Sequence, residues 1–251
     1  VRTVYVIGIG AGDPDQVTAQ AVRVMNQVDV FLTVDKGPDK ADLAALRTEL
    51  LARHVTGAHR VVQVADPPRD RAPTDYPAAV ADWRDRREAL YAALIRDELG
   101  PDDAAGFLVW GDPALYDGTL AMLDRIGARG EVAFDVVSVP GISSVQALAA
   151  AHRVALNRTG RPVTVTTGRR LAEGGFPADA DDVVVMLDAR NAFAELPDTD
   201  LDIYWGAYLG TPDEVLVRGD LQQVKAEIAR VWTERRRVKG WIMDTYLLRR
   251  R

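Results

Sequence analysis

The sequence predicts an α/β fold: two α/β domains with a cleft between them. Three observations predict it. Short apolar runs rich in β-branched residues alternate with amphipathic helical patterns through the first half. Two of those runs end in the same turn, Gly12-Asp13-Pro14 and Gly111-Asp112-Pro113. The second half begins with the same alternation and then becomes richer in strands. A chain of 251 residues with 47% hydrophobic side chains has room for one or two domains with sizeable cores. The boundary is expected near Ala114–Asp117, giving domains 1–114 and 115–251.

The stretch Val4–Thr18 anchors the reading. Val4, Tyr5, Val6 and Ile7 form a buried strand, glycines at 8, 10 and 12 form a tight turn, and a helix opens near Thr18. Glycine serves where the backbone needs φ > 0 or where a ligand lies against the main chain. A dinucleotide fingerprint requires glycine at position 13, which is Asp, and no phosphate-binding P-loop follows. Further along, strands are expected at 28–34, 61–64 and 107–110, and helices at 42–54 and 79–99. The proline- and charge-rich segment 66–77 reads as a loop. The strand at 107–110 runs into the second Gly-Asp-Pro, so two such turns from parallel strands can face one crevice, at the edge where open α/β sheets bind ligands. A strand at 134–139 precedes Pro140-Gly141-Ile142-Ser143-Ser144, and Ser143 and Gln146 have capping-box spacing for a helix through Ala151. The two serines cap that helix or meet a ligand at its N-terminus. Strands at 163–167 and 183–187, an antiparallel pair around Gly210-Thr211-Pro212, and a helix at 221–238 complete the pattern. The tail, Gly240–Arg251, mixes aromatics with charge, and its terminal Arg triplet reads as a solvated end.

Composition excludes several functions. With no cysteine there is no disulfide, thiolate metal site or cysteine nucleophile, and three histidines make a histidine-rich metal site unlikely on numbers alone; no metal is expected. A net charge of −6 gives no support to nucleic-acid binding. No apolar run of about 18 residues and no signal peptide is visible, so a cytoplasmic protein without membrane contact is expected.

Five stretches, in order, resemble the tetrapyrrole methylase family: GIGAGDPDQVT at the start, WGDPALYDGT at 110–119, VPGISSVQALAAA at 139–151, VVVMLDAR at 183–190 and TPDEVLVRGDL at 211–221. The likeness covers nearly the whole chain. It implies S-adenosylmethionine as cofactor, bound between two α/β domains, usually in a homodimer, and a precorrin tetrapyrrole as substrate. VDKGPDKADLAALR, the segment 65–99 and the closing KGWIMDTYLLR resemble the branch that methylates C1 of precorrin-5 and releases acetate in cobalamin biosynthesis. One departure is Ala11, where many relatives carry proline. By matching motif, the cofactor meets Gly10, Ala11, Trp110, Gly111, Asp112, Leu115, Tyr116, Ser143, Ser144, and Met186 or Leu187, with Tyr208 or Leu209 closing the adenosine pocket. By residue type alone Met186, Leu187 and Leu209 read as core.

A sulfonium methyl donor is already activated, so the protein's task is in-line positioning, which can carry ~7–11 kcal/mol of a barrier. Deacetylation also needs a base or an oxyanion donor; Asp35 and Tyr116 are the catalytic candidates, with Asp112 and Asp117 also at strand ends. Asp13 and Asp112 equally serve to fix their turns. Arg169, Arg170, Arg190, Lys36 and Lys40 are candidates for pairing with substrate carboxylates. Rival readings are another precorrin methyltransferase, a family member acting on a diphthamide precursor or ribosomal RNA, a non-catalytic module binding S-adenosylmethionine or a corrinoid, and a nicotinamide oxidoreductase.

Overall fold

A computed structural model of the chain describes residues 1–35, 41–68 and 75–251. They form two compact units, residues 1–10 with 14–141 and residues 11–13 with 142–251. The first unit holds β1 (Arg2–Gly8), α1 (Ala19–Met25), β2 (Val30–Asp35), α2 (Ala41–His54), β3 (Arg60–Ala65), α3 (Tyr76–Glu98), β4 (Ala104–Val109), α4 (Thr119–Arg129) and β5 (Phe134–Val139). Its strands make a parallel sheet in the order β3-β2-β4-β1-β5.

Side-chain alternation explains how this sheet is covered on both faces. Val4 and Val6 of β1, Leu32 of β2 and Phe107 of β4 pack with Ile95 of α3 and Leu123 of α4. Their neighbours Ile7, Phe31 and Leu108 pack with Ala21 and Met25 of α1 and Leu50 of α2. The connections β1 to β2 to β3 run one way across the sheet and β3 to β4 to β5 the other. Right-handed crossovers therefore place α1 and α2 on one face and α3 and α4 on the opposite one. Local signals set the helix ends: Thr18 Oγ1 accepts from Ala21 N at 3.0 Å, and Gly130 closes α4 at φ 70°.

The second unit holds α5 (Ser144–His152), β6 (Val163–Thr167), α6 (Gly168–Gly174), β7 (Asp182–Met186), β8 (Leu201–Ala207), β9 (Val215–Asp220), α7 (Leu221–Lys239) and β10 (Asp244–Arg250). The sheet order is β6-β7-β10-β8-β9, with only β6 and β7 parallel. Leu201, Ile203, Trp205 and Ala207 of β8 face Ile228 and Trp232 of α7. The other face receives α5: a Cβ at Gly206 would lie 2.8 Å from Leu148 Cδ1, so glycine admits that helix. Burial pushes the His152 pKa down, and the neutral ring donates from Nε2 to the Trp205 carbonyl at 2.9 Å.

Three expectations change. The first unit runs to Gly141 instead of ending after Ala114, because β5 pairs with β1 along its length. The terminal Arg triplet is not a solvated end: the tail forms β10, the middle strand of the second sheet. Its arginines are held by acids, Arg249 by buried Asp182, Arg250 by Asp200 and Arg251 by Asp220. Third, the strand ending at Thr167 turns directly into α6, where Arg169 and Arg170 are exposed and face Glu173 of their own helix. Arg190 is likewise exposed. None of the three forms a built basic lining. Lys36 and Lys40 lie outside the described residues.

Candidate functional site

The carboxyl ends of β4, β1 and β5 are adjacent, and each runs into a glycine turn. Pairing continues beyond the strands: Ile9 N donates to Val109 O at 3.0 Å, and Gly111 N to Gly10 O at 2.8 Å. Gly10 and Gly111 have φ of 84° and 64°, a region that favours glycine. The turns lie backbone on backbone. A Cβ at Gly8 would sit 2.6 Å from Gly141 N, and one at Gly141 would sit 2.1 Å from Gly111 O. Asp112 locks this arrangement, its Oδ1 accepting from Ala114 N at 2.7 Å and its Oδ2 from Gly141 N at 2.9 Å. The turn-fixing role of Asp112 is therefore visible in its geometry. Asp117 accepts from Thr119 N at 2.8 Å and starts α4.

Around these turns, Trp110 is half-buried and its Nε1–H is a buried donor without a partner among the described residues. Leu115 is half-buried, whereas Tyr116 is 46% exposed at φ 54°. Asp35 closes β2; its side chain lies outside the described residues.

In the second unit, Ser143 caps α5: its Oγ accepts from Val145 N at 3.2 Å and donates to Gln146 Oε1. Ser144 Oγ is 2.8 Å from Thr245 Oγ1, and Thr245 stands opposite both Met186 and Gly206 in the sheet. The structure thus brings Ser144, Met186, Leu187, Tyr208 and Leu209 to one end of the sheet. Ala11 is buried in the same unit, where Gly12 abuts Thr211 and Leu209 O. Tyr208 and Leu209 are core residues by side chain. The Tyr208 hydroxyl donates to Trp241 O at 2.7 Å, and burial pushes its pKa up. Leu187 differs, 63% exposed at φ 55°. Among the described residues the non-glycine positions at positive φ are Tyr116, Arg153, Leu187, Asn191 and Tyr208. Three of those belong to the expected site, and such conformations typically cost ~1–3 kcal/mol and collect at functional positions.

A cavity of about 350 Å³ adjoins Leu187 and is bordered by Asp188, Trp232, Arg236, Trp241 and Asp244. Asp188 organises the turn after β7. Its Oδ2 accepts from Tyr246 Oη at 2.6 Å and Ala192 N at 2.7 Å, and its Oδ1 from Arg190 N at 3.0 Å. Gly168 makes room for that carboxylate, since a Cβ there would lie 2.4 Å from Asp188 Cγ. Burial, reinforced by Asp188, pushes the Tyr246 phenol far up. Burial also raises Asp244 to about 7, against a 2.9 Å hydrogen bond from Trp205 Nε1. Sequence reasoning missed Asp188, Asp244 and Thr245; the last two sit in the stretch read as a tail. Among the described residues no cluster of histidine, aspartate and glutamate is arranged to hold a metal ion, and no helix is long and apolar enough to cross a membrane.

The profile of the Tetrapyrrole (Corrin/Porphyrin) Methylases matches residues 3–225. The chain is 45% identical over its whole length to a precorrin-6A synthase [deacetylating] of Sinorhizobium, covering 96% of that protein. It is similar in structure to the cobalamin-synthesis-related protein CobF of Corynebacterium diphtheriae, with a TM-score of 0.87, 37% identity, and coverage of 100% of this chain and 99% of that one. A uroporphyrin-III C-methyltransferase of Thermus thermophilus, solved with S-adenosylhomocysteine, shares the fold at a TM-score of 0.56 and 19% identity, covering 98% of this chain and 96% of that one.

Proposed function

From the premise that this chain belongs to the tetrapyrrole methylase family, we propose that it is the S-adenosylmethionine-dependent methyltransferase that methylates C1 of precorrin-5 and releases acetate, giving precorrin-6A. The observation that carries this reading is the full-length relationship to a precorrin-6A synthase. A cobalt-precorrin-4 C(11)-methyltransferase of Priestia megaterium, by contrast, is 28% identical over 69% of this chain.

The residues present fit such a cofactor. The first unit offers close-packed glycine turns and an unpartnered indole N–H. The second offers a hydroxyl at Ser144 and the apolar side chains of Met186 and Leu187. The assigned contacts are Gly10, Trp110, Gly111, Asp112, Leu115 and Tyr116, and in the second unit Ala11, Ser143, Ser144, Met186, Leu187, Tyr208 and Leu209. Ser143 and Asp112 act mainly by fixing their turns. Tyr208 and Leu209 contribute backbone.

The sulfonium group supplies an activated methyl. The protein's work is to hold donor and acceptor in line and exclude water, which rigid turns do better than mobile side chains. Locked glycine turns lose little freedom on binding, so more of the binding energy remains for alignment. For acetate release, Tyr116 is the assigned hydroxyl donor and Asp35 the assigned base, by their positions at strand ends. The protein is read as a cytoplasmic homodimer.

Thermal unfolding with S-adenosylmethionine or S-adenosylhomocysteine, and with NAD as control, tests the cofactor. Ligand at about 100 times its dissociation constant stabilises by ~2.7 kcal/mol, which raises the midpoint of a chain of this size by about 5–10 °C. Precorrin-5 turnover with acetate detection tests the reaction. A rise with NAD only, or no acetate with methylated product, would refute the assignment.

A further inference from the structure

The β2–β4 seam opens toward its carboxyl end. The two strands pair only at Val30–Ala105 and Phe31–Gly106. Beyond that point the Leu108 carbonyl accepts from Arg47 Nε of α2 at 3.2 Å. The Arg47 guanidinium carbon lies 5.5 Å from the centroid of the Trp110 ring.

Arg47 is half-buried, and among the described residues no carboxylate forms an ion pair with it. Asp117 and Tyr91 are its electrostatic neighbours, and burial outweighs them, pushing its pKa below the usual arginine value. A partly desolvated cation whose hydrogen-bond acceptor among the described residues is one carbonyl is costly to keep without an anion. Trp110 Nε1, on the residue beneath it, is likewise buried and unpartnered. Each has unused donors, and both sit at the carboxyl edge of a parallel sheet where two neighbouring strands part.

We propose that Arg47 and Trp110 form a carboxylate-binding site at this opening, with the guanidinium fork gripping the carboxylate and the indole N–H as an additional donor. The proposal rests on the methyltransferase reading, which supplies two sources of that chemistry: the methionyl carboxylate of the cofactor and an acidic side chain of the tetrapyrrole. Arg suits the task because its planar fork matches a carboxylate in two parallel hydrogen bonds. The indole ring, 5.5 Å from the guanidinium carbon, favours the cation at this position before the ligand arrives.

The test uses Arg47→Gln, Arg47→Lys and Trp110→Phe in the full chain. Dissociation constants are measured for S-adenosylhomocysteine and for 5′-methylthioadenosine, which lacks the carboxylate, and KM and kcat for precorrin-5. Arg47→Gln is expected to weaken one ligand by about 10- to 100-fold, the range for a hydrogen-bonded charged group. Arg47→Lys recovers only part of the loss. Trp110→Phe keeps the ring under the guanidinium and loses about 3- to 10-fold. A loss for S-adenosylhomocysteine with methylthioadenosine unchanged assigns the cofactor's carboxylate. A raised KM for precorrin-5 with kcat and cofactor affinity intact assigns the substrate's.

If all three variants keep both the dissociation constant for S-adenosylhomocysteine and the KM for precorrin-5 within twofold of the wild type, the site does not exist. A loss that falls equally on methylthioadenosine also overturns it, because that pattern marks a structural lesion. Should Arg47→Gln fail to fold, the other two variants decide by the same criteria. Wild-type protein that neither binds S-adenosylhomocysteine nor turns over precorrin-5 refutes the functional reading itself, a result distinct from failure in the variants.

Discussion

Asp244 offers a test of the second unit's core that is independent of any ligand. Its carboxyl is buried between Trp205 and the β7 turn, and burial raises its pKa to about 7, with the Asp188 charge adding to the shift and the Trp205 hydrogen bond opposing it. In the unfolded chain an aspartate titrates near 3.9. Between those values the folded protein holds a proton that the unfolded chain has lost. Stability therefore falls as pH rises from about 4 to above 7, the opposite of the usual paired carboxylate. The full shift corresponds to about 4 kcal/mol, an upper bound because relaxation and water entry soften it. Asp244→Asn keeps an acceptor for Trp205 Nε1 and removes the charge. Urea unfolding at pH 5.5 and pH 8, read as the difference between wild type and variant, cancels the other titrating groups. The variant should gain on the wild type by about 2 kcal/mol between the two pH values, the part of the shift that lies above pH 5.5. A difference that stays constant within 0.5 kcal/mol would mean that Asp244 is ionised or neutral in both states alike, and the argument from burial would fail.

Other outcomes follow from the geometry. Gly141→Ala places a Cβ 2.1 Å from Gly111 O, an overlap between two backbones that cannot move apart cheaply, so urea unfolding should show a loss of at least about 3 kcal/mol. Asp112→Ala strips the acceptor from Ala114 N and Gly141 N, and should cost about 2 kcal/mol and weaken S-adenosylhomocysteine binding by calorimetry. Arg249→Met leaves Asp182 buried with only Arg158 nearby, at 3.7 Å, and should cost about 3 kcal/mol in the same unfolding assay. Asp188→Asn leaves a mismatch at one of three donors around the β7 turn. It should raise the dissociation constant for S-adenosylhomocysteine while leaving the far-ultraviolet circular dichroism unchanged.

What was legible in the sequence is what local physics dictates. Val4–Ile7 and Phe107–Val109 announce themselves as strands because both faces of the sheet are buried, so the runs are apolar throughout. Thr18 and Ser143 mark helix starts because a capping oxygen must stand beside the donors it satisfies. The glycines at 8 and 141 stand out because no Cβ fits where the turns touch, and those at 10 and 111 because their φ is positive. The Asp-Thr-Tyr-Leu-Leu-Arg-Arg stretch was opaque for the converse reason. Its charges are neutralised by Asp182, Asp200 and Asp220, partners distant in sequence, and nothing in the tail itself indicates them. Position in the sheet was equally hidden, since a last strand can take the middle place only through the pairing of β7 and β8 around it.

The site divides along the same line. Motif order brought Trp110, Gly111, Ser144 and Met186 into view, but the strained backbone at Tyr116, Leu187 and Tyr208 has no sequence signature, because non-glycine residues occupy those positions. Arg47 is the sharper case. In the sequence it is one more polar residue on an amphipathic helix, beside Leu46 and Leu50, and solvent is its natural surrounding. Only the parting of β2 from β4 turns that helix face into an opening. A charged side chain reaching a strand carbonyl and an indole face through such a gap gives up part of its hydration, which the proposed carboxylate would restore. The signal lies in the loss of a strand pairing, a tertiary event that no periodicity in α2 records.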